Sequence, residues 1–157
     1  MLTLDEFHAF IERDLVYEQK LISIIDYQGR QILLDSLGQL HSNYGKTIKV
    51  EGMEKYNLKI FQKCKSIAKK YNHKGPVTCH AFRAFENSGT FPMHTDPDDV
   101  LLYVVWGKKI IKFEKYDIVI KKGGKYFIPA NTPHRAVNEK SSLMLSFGLE
   151  KFLIDKL

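Results

Sequence analysis

The sequence predicts a single mainly β domain, a sandwich or barrel, with α-helices in its N-terminal part. Its 157 residues are 44% hydrophobic and 27% charged, which is typical of one folded globular domain. Helical patterns occur in residues 1–75, whereas short apolar runs separated by turn residues follow from Val77 onward. We therefore treat residues 1–157 as one domain, with a helical part at 1–75 and a β-roll core at 76–150.

The N-terminal part opens with a capping box, because Thr3 is followed three residues later by Glu6. Apolar residues at helical spacing then predict a first helix: Phe7, Phe10, Ile11 and Leu15. The next apolar segments, LISIID and QILLDSL, flank the sequence YQGR at 27–30. Periodicity leaves two interpretations of them open, a hairpin and a helix–turn element.

A second, lysine-rich helix is predicted from about Glu54 to Tyr71, where Asn72 and Gly75-Pro76 form a stop signal. It carries much of the formal net charge of +6. Such a lysine run indicates either a solvated helix face or a surface for a polyanion, and we favour the solvated face. The basic balance slightly favours a macromolecular substrate, a protein or a nucleic acid, over a small metabolite.

The C-terminal part contains seven or eight short apolar runs, among them VTCHAFRAF, TFPMHTD, VLLYVVW, KKIIKF, KYFI and SLMLSFG. Turn-forming residues lie between them, which favours an all-β architecture. We expect Tyr103, Trp106 and Phe127 to fill its core rather than a pocket.

Several function classes lack support. Cys64 and Cys79 form no CxxC pair, so we expect free thiols rather than disulfides or a zinc ribbon. No apolar run has the roughly 20 residues of a membrane helix, and acids replace the bases of a secretory signal, so we expect a cytoplasmic protein without membrane association. Motifs for acyl transfer and nucleotide hydrolysis are missing from the sequence.

One constellation could carry chemistry. His94 and Asp96 are two residues apart, so a strand would present both on one face, and His134 follows 38 residues after Asp96. Two histidines and one carboxylate are the ligand set of non-heme Fe(II) oxygenases. The alternative for His94 and Asp96 is a surface turn, since Pro97 and two aspartates follow. His8, His41, His73 and His80 show no ligand spacing, and we treat them as structural or exposed.

The stretch GGKYFIPANTPHRAVN, residues 123–138, closely resembles the second sequence motif of the cupins, a jelly-roll superfamily. Asn131 stands where that motif has glycine, and asparagine tolerates a positive φ, so we expect the turn to be preserved. The resemblance implies a double-stranded β-helix, or jelly roll, with the N-terminal helices packed against one sheet. Cupins often pair, so a homodimer is one expectation for the oligomeric state.

The segment HTDPDDVLLYVVWGKKIIKF is similar to the JmjC-type branch of the cupins, the 2-oxoglutarate-dependent hydroxylases and demethylases. The resemblance covers about 40% of the chain. It implies that Fe(II) is bound by His94, Asp96 and His134, and that Lys109 pairs with the distal carboxylate of the co-substrate 2-oxoglutarate. Strand parity places Lys109 among apolar neighbours, where an ammonium needs an anionic partner.

Three functions follow from these resemblances. The first is an Fe(II)- and 2-oxoglutarate-dependent oxygenase, a hydroxylase or demethylase acting on an unidentified substrate. The second is a non-catalytic cupin that serves as a binding or structural protein. The third is a cupin metalloenzyme that uses the same three ligands without 2-oxoglutarate. Arg83 and Arg135 are the alternatives to Lys109 as the co-substrate anchor.

Overall fold

A computed structural model describes residues 1–151 of the protein. The helices are α1 (Leu4–Ile11), α2 (Asp14–Glu18), α3 (Leu37–Ser42) and α4 (Leu58–Lys70), with a 3-10 turn at Met53–Lys55. The strands are β1 (Ile22–Ile25), β2 (Gln31–Leu33), β3 (Thr47–Val50), β4 (Val77–Ala84), β5 (Asp99–Phe113), β6 (Asp117–Lys121), β7 (Lys125–Ile128), β8 (His134–Val137) and β9 (Ser142–Leu149).

All strand pairs are antiparallel, and the strands form two layers joined by β5. The larger layer has the order β2-β1-β3-β4-β9-β5-β7, and the smaller layer places the second half of β5 between β6 and β8. The register of β5 against β9 shifts between Val104 and Trp106, and Gly107 follows with a φ of 73°. A bulge next to a left-handed glycine bends the strand, and so β5 can belong to both layers.

Two hydrophobic clusters lie on opposite faces of the larger layer. Alternation along β5 separates them, because Leu101 belongs to the outer cluster and Val100 and Leu102 to the inner one. The outer cluster includes buried residues of α1 and α4, and the inner cluster lies between the two layers. The mainly β fold with N-terminal helices predicted from the sequence is thereby confirmed.

The helix predictions are confirmed with changed bounds. The first predicted helix is too long, because α1 ends at Ile11, and Leu15 lies in α2 and is exposed. Thr3 Oγ1 accepts a hydrogen bond from the Glu6 amide at 3.1 Å and caps α1. The lysine-rich helix begins at Leu58 rather than near Glu54, because Asn57 Oδ1 caps it through the Ile60 amide at 3.1 Å. Its apolar side packs into the outer cluster, and most of its lysines are exposed. No helix within residues 1–151 combines the length and the apolar composition needed to cross a bilayer.

Residues 1–75 are not the purely helical part that we expected, since they also contain β1, β2 and β3. The ambiguous apolar segments form a hairpin, in which Asp26 Oδ1 accepts hydrogen bonds from the amides of Gln28 and Arg30 at 2.9 Å. β3 then pairs with β4, so the hairpin extends the larger layer. β1 is buried at all four positions, and a continuous apolar run of this kind hides strand periodicity.

The C-terminal part has six strands rather than seven or eight. VLLYVVW and KKIIKF are one continuous strand, β5, because Gly107 bends the chain without ending it. The segment TFPMHTD forms an isolated bridge instead of a strand. Tyr103, Trp106 and Phe127 pack against the outer cluster, as predicted, and both cysteines are buried free thiols.

Candidate metal centre

His94 and His134 come from separate segments that meet as an antiparallel bridge. His134 begins β8, and His94 lies in the loop before β5. Each backbone amide donates to the other residue's carbonyl oxygen, at 3.0 and 2.9 Å. Directly opposed residues of an antiparallel pair project on the same face, and the two imidazole centroids are 4.6 Å apart. The backbone pairing therefore places both imidazoles next to each other on one face.

Asp96 adds a carboxylate between the two rings. Its Oδ2 lies 3.3 Å from His134 Nε2, and its Oδ1 lies 3.8 Å from His94 Nε2. The backbone of Asp96 is held in place because its carbonyl accepts a hydrogen bond from the Asn131 amide at 2.8 Å. Asn131 adopts a φ of 63°, the left-handed conformation expected where asparagine replaces the glycine of the cupin motif.

Backbone carbonyls orient both imidazoles. His94 Nδ1 donates to the Pro92 carbonyl and His134 Nδ1 donates to the Thr132 carbonyl, each at 2.8 Å. Because a carbonyl only accepts, Nδ1 of each ring carries a proton, and the Nε2 atom of each ring is the one nearest Asp96. This arrangement is typical of metal-ligating histidines, whose other nitrogen is fixed by a hydrogen bond.

The electrostatics of the three groups favour a shared cation. The hydrogen bond to Asp96 raises the pKa of His134 against the opposing effect of burial. In return, the hydrogen bond from His134 lowers the pKa of Asp96, with further lowering from the charges of His94 and Lys49. A proton on His134 partly balances the carboxylate, and a metal ion would take the place of that proton.

The donor set and its spacing fit a divalent transition metal. One ligand atom from each of the three residues lies within 4.8 Å of the others. Neighbouring ligands of an ion with bonds of ~2.1 Å are about 3 Å apart, so small side-chain rotations would complete the set. Imidazole and carboxylate ligands on one face leave other coordination positions open for exogenous molecules.

These side chains open into a cavity of about 310 Å³ between the two layers. That volume lies at the lower end of the range for small-molecule sites, ~300–1,000 Å³. Inward-facing residues of β4, β5, β8 and β9 line it, including His80, Val100, Leu102, Ile111, Ala136 and Met144, and Asn138, which follows β8, lines it as well. The candidate metal ligands and Lys109 share this cavity.

Lys109 is 2% exposed, and its position facing inward with Ile111 follows the strand parity predicted from the sequence. Its Nζ donates to Asn138 Oδ1 at 2.6 Å, and Asn138 Nδ2 donates to the Gly89 carbonyl at 2.9 Å. Burial, together with the nearby Arg83 charge, lowers the pKa of Lys109 to about 7. Residues 1–151 place no carboxylate in contact with this ammonium, so an anion entering the cavity would be its first counter-charge.

Sequence reasoning missed several polar residues of this cavity, among them Asn138, Thr47 and Lys49, and His80, which we treated as structural or exposed, lines it as well. Strand parity could have identified Asn138, because it lies four residues after His134 and directly follows the last residue of β8. Thr47 and Lys49 were concealed in the half that we expected to be helical, although the alternating sequence TIKV is a strand signal. Neither Arg83 nor Arg135, the alternatives to Lys109, is among the described residues that line the cavity.

Comparisons with known proteins agree with this architecture. The cupin domain family model matches residues 81–147. The ribosomal oxygenase YcfD from Escherichia coli, solved with cobalt and 2-oxoglutarate, is similar with a TM-score of 0.69 and 14% identity, over 99% of this chain and 45% of that chain. The same enzyme with cobalt and succinic acid gives a TM-score of 0.69 and 12% identity, over 98% and 45%. The chain thus spans slightly less than half the length of YcfD.

An RmlC-like cupin from Shewanella frigidimarina is also similar, with a TM-score of 0.47 and 16% identity over 72% of this chain and 83% of that one. No curated protein sequence matches significantly. The fold and the site define a class, a mainly β jelly-roll protein with a candidate site of two histidines and one carboxylate. The stretch that the cupin domain family model matches, residues 81–147, contains most of the roll and is less than half of the chain.

Proposed function

We propose that this protein is an Fe(II)- and 2-oxoglutarate-dependent oxygenase, a hydroxylase or demethylase. One observation carries the proposal: two imidazoles and a carboxylate converge on one wall of a cavity that also contains a buried lysine, and that lysine has no acidic partner within residues 1–151. The similarity to an oxygenase solved with 2-oxoglutarate supports the fold of such an enzyme at 14% identity, and the site residues supply the chemical argument.

His94, Asp96 and His134 would hold Fe(II). The Nδ1 hydrogen bonds to the carbonyls of Pro92 and Thr132 keep both Nε2 atoms ready as ligands, so little reorganisation is needed on binding. Asp96 supplies the negative charge and compensates part of the ion's charge. His94 and Asp96 side chains are each 36% exposed, which leaves the ion accessible to co-substrate and O2.

Lys109 would bind the distal carboxylate of 2-oxoglutarate. In the free protein, burial lowers its pKa to about 7, and the carboxylate of the bound diacid would favour the charged form again. Asn138 holds the ammonium in the cavity through the 2.6 Å hydrogen bond. Asn138 is itself fixed by Gly89 and Thr47, so Lys109 is a preorganised anchor.

When bound, Fe(II) would supply the oxidative chemistry, in which O2, 2-oxoglutarate and a C–H bond of the substrate give succinate, CO2 and an alcohol. The chain's own part is to bind, orient and exclude water. Apolar side chains of the inner cluster, among them Val100, Leu102 and Met144, surround the cavity and keep bulk water from much of it.

The test is anaerobic Fe(II) titration followed by succinate measurement with 2-oxoglutarate and O2. Wild type should bind Fe(II) and form succinate, His94→Ala should lose both, and Lys109→Met should keep Fe(II) and lose succinate formation. His41→Ala is the matched control, because that histidine is exposed and pairs with Glu12. Fe(II) binding that survives His94→Ala would contradict the proposal, and iron binding without any succinate would indicate a cupin metalloenzyme of another kind.

A further inference from the structure

The cavity contains a second cationic side chain, that of Lys49, which the proposed binding of 2-oxoglutarate does not use. On β3, Ile48 and Val50 are buried in the outer cluster, so Thr47 and Lys49 face the interior of the roll. Lys49 lines the same cavity as His94, and its side chain is 12% exposed. A largely buried ammonium on the wall of a cavity favours an anionic ligand.

Two aromatic rings connect Lys49 with the candidate metal centre. The Lys49 ammonium lies 5.9 Å from the ring centroid of Phe82 and 5.5 Å from that of Phe91. The Phe91 ring contacts Phe82 edge to face at 6.3 Å and contacts His94 in the same way at 6.2 Å. An apolar surface therefore runs from the cation to a candidate metal ligand, and both rings line the cavity.

The present partners of Lys49 are exchangeable. Its Nζ lies 3.1 Å from Glu51 Oε1 and donates to Gln31 Oε1 at 3.2 Å. The Glu51 side chain is 47% exposed, so water can solvate its carboxylate when another anion takes its place. Lys109 differs in this respect, because its ammonium is fully enclosed and tied to Asn138.

We propose that Lys49 binds an anionic group, a carboxylate or a phosphate, on the primary substrate, whose apolar part packs on Phe82 and Phe91 toward the metal ligands. The assignment to the primary substrate rests on the proposed function, in which the metal and Lys109 already account for both carboxylates of 2-oxoglutarate. Lys49 is then a specificity residue, and the substrate class is an anion with an apolar or aromatic body.

The probes are benzoate and phenyl phosphate, which join an aromatic ring to each of the two anions. Calorimetry on the full chain, with and without anaerobic Fe(II) and 2-oxoglutarate, measures their affinities. Wild type should bind at least one probe, and Lys49→Met should weaken that binding about tenfold or more, as expected for a lost charge-assisted hydrogen bond. The preferred probe identifies the anion.

Glu51→Gln should raise the affinity for the probe, because it removes the competing carboxylate. Lys49→Arg should retain probe binding. A purely structural role of Lys49 would not produce this reversal of sign. The matched control is Lys65→Met, since that ammonium also lies over a ring, 5.3 Å from Phe61, but on the exposed side of α4. If Lys49→Met does not fold, the probe affinities of Glu51→Gln and Lys49→Arg test the inference instead.

Any of three results would overturn the inference. Neither probe binds to wild type, or Lys49→Met and Lys65→Met change the probe affinity equally, or Lys109→Met abolishes probe binding and Lys49→Met does not. The measurement without iron separates this inference from the proposed function. If Fe(II) and 2-oxoglutarate fail to bind while probe binding still depends on Lys49, the oxygenase proposal fails and the anion subsite stands. If Fe(II) and 2-oxoglutarate bind and the probes do not, the anion subsite fails and the oxygenase proposal stands.

Discussion

Replacing Lys109 with methionine is expected to stabilise the folded protein at pH 7 in the absence of 2-oxoglutarate. Methionine retains most of the apolar stem and removes the charge. Lys109 is 2% exposed, and burial, with Arg83 nearby, lowers its pKa from the ordinary value of 10.5 to about 7. The unfolded chain therefore binds this proton more strongly than the folded protein does.

The direction and size of the effect follow from these two pKa values. Above pH 10.5 the lysine is neutral in both states and costs nothing through its charge. As the pH falls from 10.5 to about 7, only the unfolded chain takes up the proton, so the free energy of unfolding decreases. About 3.5 pH units at ~1.4 kcal/mol per unit correspond to roughly 5 kcal/mol. The unpaired Asn138 oxygen would cost about 1–3 kcal/mol, which leaves a net gain of roughly 2–4 kcal/mol.

Urea unfolding of wild type and Lys109→Met at pH 7, 8, 9 and 10 measures this difference. Other titrating groups are present in both proteins, so their contributions cancel. The stability gain should be largest at pH 7 and should change sign between about pH 8 and pH 10, where the decreasing charge cost of Lys109 equals the cost of about 1–3 kcal/mol of the unpaired Asn138 oxygen. Lys108→Met is the matched control on the exposed side of β5. A variant less stable than wild type at pH 7, or a difference independent of pH, would refute the reasoning.

Three further predictions concern the co-substrate and the packing of the roll. The affinity for 2-oxoglutarate should fall by up to about tenfold per pH unit above pH 7, because only charged Lys109 forms an ion pair with it. Calorimetry at several pH values tests this, and an affinity independent of pH would contradict it. Gly89→Ala should prevent folding, because its Cβ would lie 1.9 Å from the Asp26 carbonyl oxygen. Gly123→Ala should cost only about 1–2 kcal/mol, since its φ is +81° and, apart from the two chain neighbours, no atom of the described residues lies within 4 Å of the added Cβ. Soluble yield and thermal unfolding compare the two variants. Ser142→Ala should stabilise the protein by about 1 kcal/mol in chemical denaturation, because the hydroxyl is buried without a partner among the described residues, and a loss of stability would argue against this.

Local sequence patterns, together with the resemblance to a known motif, predicted the mainly β roll and the residues that converge at the candidate site. The spacing of His94, Asp96 and His134 matched a known motif, and the structure brings their ligand atoms within 4.8 Å of one another. Alternation along β5 predicted the inward direction of Lys109, because side-chain direction in a strand depends only on residue parity. Metal binding by these residues stays a prediction until it is measured.

Only the tertiary structure decided which distant segments complete the cavity. Pairing of β3 with β4 brings Thr47 and Lys49 to a site more than 40 residues away in the sequence, and the bridge between His94 and His134 closes it. Strand pairing depends on long-range hydrogen bonds, which leave no trace in local periodicity. The amino-acid sequence by itself therefore determined which chemical groups the β-roll offers. The fold decided which of these groups share one cavity. Packing sets the distances between the groups and their burial, and both determine which of them are charged.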